Sequence, residues 1–441
     1  MTTNLTRIGE KACKEPQLVF SSLYHHISDG DNLRACYETL GARKASGVDG
    51  VTKDEYGSQL EENLRDLSAR LKRNGYRPGP KRRSYIPKQG SAKGRPLGIS
   101  NLEDKIVELA VKRVLEPIFE SVFEDSSYGY RPGCSQHKCL HALGRTIQQK
   151  RVSHLVEADI KGFFDEVNHE WLIKFLRHKI GDERVIRLIL RMLKSGIMED
   201  GLMRATDKGT PQGSILSPLL SNIYLHYVLD LWFSRRVRKQ SRGEAYYFRF
   251  ADDFLACFQY PDDAREFRQR LGERLEAFGL SLAEEKTHCM EFGRFARETA
   301  YKRGEKPKEF TFLGFTHYCG KTRKGYFKVK RRTSRKKLGQ SLCKFTEWAN
   351  KMHGVLRKGW MLRQARTRVM GYLSYYAITD NLERCHYYVY RTKRILFKWL
   401  NRKSQRKAYT WKAFEQALKH VKWPVPTIRK DLNPFCSMEA Y

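Results

Sequence analysis

Two adjacent aspartates, Asp252 and Asp253, stand between two apolar runs at 246–250 and 254–258. Runs of that composition read as buried strands, so the pair is expected at a hairpin turn. Upstream, the run at 154–160 reads as a third strand with Asp159 near its end. Asp is also an ordinary turn residue, so the pair alone is a weak signal; the third carboxylate makes it a constellation. Three hard oxygen ligands suit Mg2+, which completes its octahedron with substrate phosphates and water. Two such ions about 3.5–4 Å apart can activate a primer hydroxyl and stabilise a leaving pyrophosphate. The chemistry implied is that of a polymerase.

The rest of the chain must position and feed such a site. At 441 residues it suits two or three domains, and 40% apolar content is enough for real cores. Its net charge of +35 calls for a polyanionic partner. Membrane anchoring is not expected: residues 1–17 are polar and carry both signs of charge, unlike a signal or transit peptide. The weakly charged run at 213–233 contains Pro218, Asn222, His226 and Asp230 and reads as a buried helix rather than a span. Ten cysteines without paired spacing fit a reducing cytoplasm. Cys134, His137, Cys139 and His141 lack the second ligand cluster that a tetrahedral zinc site needs.

Helical spacing is expected over 56–72, from the leucines at 60, 64, 67 and 71. Segments 84–87 and 95–99 flank a cationic loop and form a hairpin, after a rigid basic connector at 76–83. Asn101 and Asn168 are placed as helix caps, and a further helix runs from about 184 to 194. Residues 262–278 form an amphipathic helix with Phe267, Leu271 and Leu275 on one face, and 309–315 form a short aromatic strand. Such a mixture of strands and helices describes an α+β core. From 321 to 411 the chain holds 26 Lys and Arg against three acids, net +23, with aromatics interleaved. That segment reads as mostly helical and as nucleic-acid binding: cations for phosphates, some aromatics for the core, a few for stacking.

From about residue 40 to about 415 the chain resembles reverse transcriptases of the group II intron-encoded type. The motifs occur in that family's order. Ala158-Asp159-Ile160-Lys161-Gly162-Phe163-Phe164-Asp165 resembles the first palm motif, and Gly209-Thr210-Pro211-Gln212-Gly213-Ser214 the nucleotide-pocket motif. Phe250-Ala251-Asp252-Asp253 resembles the metal-binding hairpin, with Phe where Tyr is common. The run from Gly279 to Thr287 follows the palm helix, and Phe312-Leu313-Gly314-Phe315 resembles the primer grip. The segments 371–376 and 394–400 resemble the thumb, or maturase-specific, domain.

The resemblance implies a right-hand polymerase of α+β class with a C-terminal α-helical thumb/maturase domain. The expected divisions are an N-terminal extension and start of the fingers (1–78), fingers and palm (79–320), thumb (321–415) and a short tail (416–441) that is at most a DNA-binding appendage. It implies Asp159, Asp252 and Asp253 as catalytic residues, with Asp253 closer to a structural role. Asp159, Ile160, Asp252 and Asp253 are the expected metal-holding positions for two Mg2+ ions, for which Mn2+ can substitute. Lys88 and Arg95 would clamp the dNTP triphosphate, and Phe164 would act as steric gate against the 2′-hydroxyl, with Phe163 the core member of the pair. Gln212 and Gly213 would meet the incoming nucleotide, and Lys286 would serve the pyrophosphate. Arg131 would contact template; Phe312, Leu313 and Gly314 would hold the primer. The expected partners are an RNA template, structured intron RNA, a DNA primer or target and dNTPs. The expected setting is the bacterial cytoplasm or nucleoid, with oligomeric state open. A free-standing relative used in DNA repair or phage defence, and a non-catalytic splicing cofactor, are the rival readings.

Overall fold

The structure is a computed structural model that describes residues 2–87, 94–402 and 409–435. Lys88, at the tip of the expected fingers hairpin, lies outside the described residues. Eleven strands are described: β1 (Lys81–Ile86), β2 (Arg95–Ile99), β3 (His154–Ala158), β4 (Ile197–Glu199), β5 (Leu202–Arg204), β6 (Ala245–Phe250), β7 (Asp253–Phe258), β8 (His288–Glu291), β9 (Phe310–Phe312), β10 (Phe315–Lys321) and β11 (Phe327–Thr333). They form three sheets, ordered β2-β1-β4-β5, β6-β7-β3-β8 and β11-β10-β9. No described helix is long and apolar enough to cross a membrane.

By its contacts the chain divides into two compact units that interleave in sequence. The first comprises residues 1–135, 156–256 and 262–289; the second comprises 136–155, 257–261 and 290–441. The expected division at 320/321 falls inside β10, and that at 415/416 falls inside the helix Trp411–His420.

In the first unit, helix Leu102–Glu120 forms the spine. Ile106, Val107, Ala110, Val111, Val114, Leu115 and Ile118 are fully buried along it, the wide apolar stripe of a helix packed on several sides. Asn101 stands at its N-cap position but makes no capping bond; its Oδ1 accepts from Val48 N at 2.9 Å instead. Asn168 does cap its helix, accepting from Trp171 N at 3.0 Å. The helix expected over 56–72 is two, Lys53–Gly57 and Leu60–Lys72. A capping box of Thr52 and Glu55 starts the first. It stops at Gly57, where a Cβ would lie 2.2 Å from the Tyr37 hydroxyl.

The expected buried helix at 213–233 runs from Ser217 to Leu225 and continues as a π-helical stretch, His226–Asp230. Arg274 braces this stretch, donating to Val228 O at 2.9 Å and Tyr227 O at 3.1 Å.

In the second unit, residues 309–315 do not make one strand. β9 and β10 fold back on each other at Leu313-Gly314, whose φ values are +48° and +82°, the positive-φ pair of a tight hairpin. Tyr375 Oη donates to Leu313 O at 2.7 Å, and Ser334 N to Gly314 O at 3.1 Å. Helices Arg335–Met352, Lys358–Tyr376, Leu382–Leu400 and Trp411–His420 share one core that includes Phe345, Met361, Val369, Tyr388, Leu396 and Phe414. The segment expected as a tail is integrated: Arg429 N donates to Ala377 O at 2.8 Å, Leu432 N to Thr379 Oγ1 at 3.1 Å, and Leu432 is buried.

Candidate active site

The Asp252-Asp253 pair sits where the sequence puts it, at the turn between β6 and β7. Ala251 there has φ +58°, a conformation that is strained for a residue with a Cβ and persists only when its surroundings over-determine it. The surroundings do. Arg249 is fully buried with Asp230, at 2.7 Å through Nε. Its other nitrogens donate to Asn222 Oδ1 at 2.9 Å, Ala251 O at 3.1 Å and Ser127 Oγ at 2.7 Å. Segment 126–128 runs beside β6, bonded through Arg249 N to Ser126 O and Tyr128 N to Arg249 O, both at 2.8 Å. Gly129 must be glycine: a Cβ would stand 2.2 Å from Ala251 N. Buried charges need partners at every polar atom, and here that demand ties the turn to two other segments, 126–129 and the helix that carries Asn222 and Asp230.

Asp159 follows β3. Its own carbonyl accepts from Ala283 N at 2.9 Å, while Ile160 bridges Leu282 and Lys161 N donates to Ser281 O at 2.9 Å. These bonds bring the segment ending in Lys286 alongside, and the Lys286 ammonium pairs with the Asp159 carboxylate.

Asp159, Ile160, Asp252, Asp253 and Lys286 line one cavity of about 580 Å³, together with Arg95, Tyr130, Phe164, Gln212 and Gly213. Motifs separated by over a hundred residues thus converge. Phe163 is buried while Phe164 is half-buried and turned to the cavity, its ring 5.3 Å from that of Phe163. Gly213 has φ +105°, and a Cβ on it would lie 3.1 Å from Gly98 O. Gln212 O accepts from Gly98 N at 2.7 Å, so β2, which carries Arg95, is tied to the nucleotide-pocket motif.

Electrostatically the cavity floor is overloaded with acid. Asp252 is held above the usual carboxylate range, first by burial and then by Asp159, with Arg95 and Lys286 opposing. Glu157, on β3, is pushed up to about 7 by burial and then by Asp253 and Asp159. The ammonium of Lys286 is held above its ordinary value by its bond to Asp159. Among the described residues no three His, Cys, Asp or Glu side chains are gathered to hold a metal ion unaided. The donor set nevertheless fits a hard divalent cation: the ligands are all oxygen, the negative charge is in excess, and Mg2+ characteristically takes only one or two carboxylates beside substrate phosphates.

The four residues expected at template and primer do not line this cavity. Arg131 is turned inward: Nε reaches Glu120 at 3.1 Å, and Nη1 donates to Glu124 O at 2.7 Å and Ser127 O at 2.8 Å. Tyr130, beside it, is the residue of that stretch that lines the cavity. Phe312, Leu313 and Gly314 belong to the second unit, in the hairpin described above. Sequence reasoning missed Tyr130, Glu157 and the Arg249–Asp230 pair. The last had a signal: a lone Arg inside an apolar strand and a lone Asp inside an apolar helix are each costly to bury unless they meet.

The family model described as reverse transcriptase (RNA-dependent DNA polymerase) matches residues 86–317. Group II intron-encoded protein LtrA of Lactococcus lactis subsp. cremoris is 40% identical over 231 residues, 52% of this chain and 38% of the relative. Protein YkfC of Escherichia coli (strain K12) is 35% identical over 280 residues, 56% of this chain and 73% of the relative. Nuclear intron maturase 3, mitochondrial, of Arabidopsis thaliana is 30% identical over 129 residues, 29% of this chain and 18% of the relative. The chain therefore spans well under half the length of the LtrA protein it matches.

Proposed function

The chain belongs to the reverse transcriptase (RNA-dependent DNA polymerase) family, in its group II intron-encoded branch, and we propose that it extends a DNA 3′ end on an RNA template and binds intron RNA as a maturase. The observation that carries this reading is the single cavity lined by Asp159, Asp252 and Asp253 together with Arg95, Phe164, Gln212 and Gly213. In it, Asp159 and Asp252, with the backbone of Ile160, would hold Mg2+, and Asp253 would support the turn. The chemistry that bound Mg2+ supplies is activation of the primer 3′-hydroxyl and stabilisation of the leaving pyrophosphate.

The chain's own residues do the rest. Arg95 offers a planar fork to the triphosphate, joined by Lys88 from the fingers hairpin. Gly213 lets the nucleotide approach the backbone and Gln212 touches it. The Phe164 ring lies under the sugar and excludes a 2′-hydroxyl. Lys286, paired with the Asp159 carboxylate in the structure, would neutralise the departing pyrophosphate. The first unit serves as fingers and palm. The helices from Arg335 to His420 serve as thumb and maturase surface, where the surplus of +23 over 321–411 grips phosphates.

Primer extension with dNTPs and Mg2+ on an RNA template tests this, wild type beside Asp252→Asn. Metal-dependent cDNA from the wild type alone supports the polymerase. No product from either, with structured-RNA binding kept, would replace it with a non-catalytic splicing cofactor.

A further inference from the structure

Away from the polymerase cavity, four large aromatic side chains of the second unit stand in solvent around one cavity of about 680 Å³. Phe295 is 61% exposed, Tyr301 59%, Tyr326 70% and Phe435 53%. Soluble proteins rarely gather that much exposed apolar surface without a use for it. Phe295 and Tyr301 come from the start and end of one short helical segment, Ala296–Lys302 and the residue before it. Tyr326 comes from the β10–β11 turn, which is closed by Thr322 N to Tyr326 O at 2.8 Å and Tyr326 N to Thr322 Oγ1 at 3.2 Å. The rings are therefore presented by fixed backbone.

Cations surround these rings. Segments 294–302 and 321–326 carry six Lys and Arg (Arg294, Arg297, Lys302, Lys321, Arg323, Lys324) against one acid, Glu298. The Arg297 guanidinium lies 5.4 Å from the Tyr301 ring centroid. An apolar protein partner would leave these charges unpaired. A single nucleic-acid strand uses both features: bases stack on the ring faces and phosphates meet the cations. A duplex, with its bases already stacked, offers the rings nothing.

We propose that this cavity is an auxiliary stacking site for a single-stranded segment of RNA, separate from the polymerase cavity. The choice of RNA rests on the RNA-directed reading above. The phenols of Tyr301 and Tyr326 and the Glu298 carboxylate supply partners for 2′-hydroxyls, which DNA lacks. The site would hold an unpaired stretch of template or of structured RNA while the chain works elsewhere on it.

The test is photocrosslinking of the full chain to a short single-stranded RNA carrying 5-iodouridine, with adducts mapped by mass spectrometry. Adducts on Tyr326, Tyr301 or Phe295 are expected. The variant Phe295→Ala/Tyr326→Ala should lose those adducts by about tenfold, with its thermal midpoint and its primer extension on a short template–primer unchanged. Adducts confined to other segments would overturn the site. Equal yield with the matching 5-iododeoxyuridine DNA would overturn the assignment to RNA. A change in sedimentation of the RNA-free variant would overturn it in favour of a second copy covering the patch. Absence of primer extension in the wild type would count against the polymerase reading alone.

Discussion

Arg249 and the arginines of helix Leu382–Leu400 carry the same guanidinium into opposite surroundings. Arg249 is fully buried and every donor direction meets a named acceptor, Asp230, Asn222, Ser127 or Ala251 O. Arg391 and Arg394 lie in the open, each 5.7 Å from the ring of the tyrosine one turn earlier and bonded to its hydroxyl at 2.8 and 3.0 Å. The first arrangement fixes one geometry, which metal-dependent transfer requires to within a fraction of an ångström. The second holds a charge loosely over an apolar face, which suits a partner whose phosphates repeat and whose sequence varies. On the proposed reading, chemistry and grip use one residue type under two rules, and each rule makes its own predictions.

The largest effect belongs to the cavity. Asp252→Asn keeps the shape and removes one metal-holding charge, so primer extension should vanish while RNA affinity stays within about twofold, since the phosphate contacts are untouched. A parallel loss of RNA binding would mean that the two regions are not separable. Next comes the clamp. Arg249→Ala leaves Asp230 buried and unpaired, a change that costs about 3–5 kcal/mol, read as a lower denaturant midpoint and an inactive enzyme. Arg394→Ala should stay within about 0.5 kcal/mol in stability and lower the salt slope of RNA binding by about 1. Equal destabilisation by the two substitutions would abolish the contrast. Smaller again is Phe164→Ala, expected to raise rNTP incorporation by about tenfold with dNTP extension retained. Unchanged sugar discrimination would return Phe164 to the core beside Phe163.

How far the sequence disclosed this depended on the range of the interaction. The Asp252-Asp253 turn, the strand leading to Asp159 and the cap at Asn168 were legible, because period-2 and capping signals are local. The break before Leu60 was not, because the leucine spacing gives no sign that Gln59 leaves helical backbone, at φ −126° and ψ 40°. The folding back at Leu313-Gly314 was hidden because Leu is a poor advertisement for positive φ; what holds it there includes Tyr375, sixty-two residues on. The resemblance implied a template contact for Arg131, but the Glu120 carboxylate and two carbonyls that hold its guanidinium were not legible. Tyr130, the residue beside it that lines the cavity, carried no local signal in the sequence.

The smallest prediction concerns pH and the buried framework behind the turn. His226 lies in the π-helical stretch that ends at Asp230, edge-on to Phe123 with ring centroids 5.5 Å apart, and its Nδ1 makes no hydrogen bond. Burial pushes its pKa down to about 4; Asp230 opposes, while Arg249, Arg235 and Arg131 add to the fall. Between that value and the ordinary 6.5, the unfolded chain holds a proton that the folded one does not. Stability from this group is therefore complete above pH 6.5 and lost as pH falls toward 4. Asp104 works the other way. Burial raises it to about 6 despite its bond from Tyr76, so its contribution is complete below its ordinary 3.8 and lost as pH rises through 6. The two slopes oppose each other in the wild type across their shared window. His226→Phe, which keeps the packing against Phe123, removes one of them. Its thermal midpoint should match the wild type above pH 7 and fall less steeply between pH 6.5 and 4. Identical slopes would mean that His226 is protonated in the folded chain, and that burial does not hold it neutral.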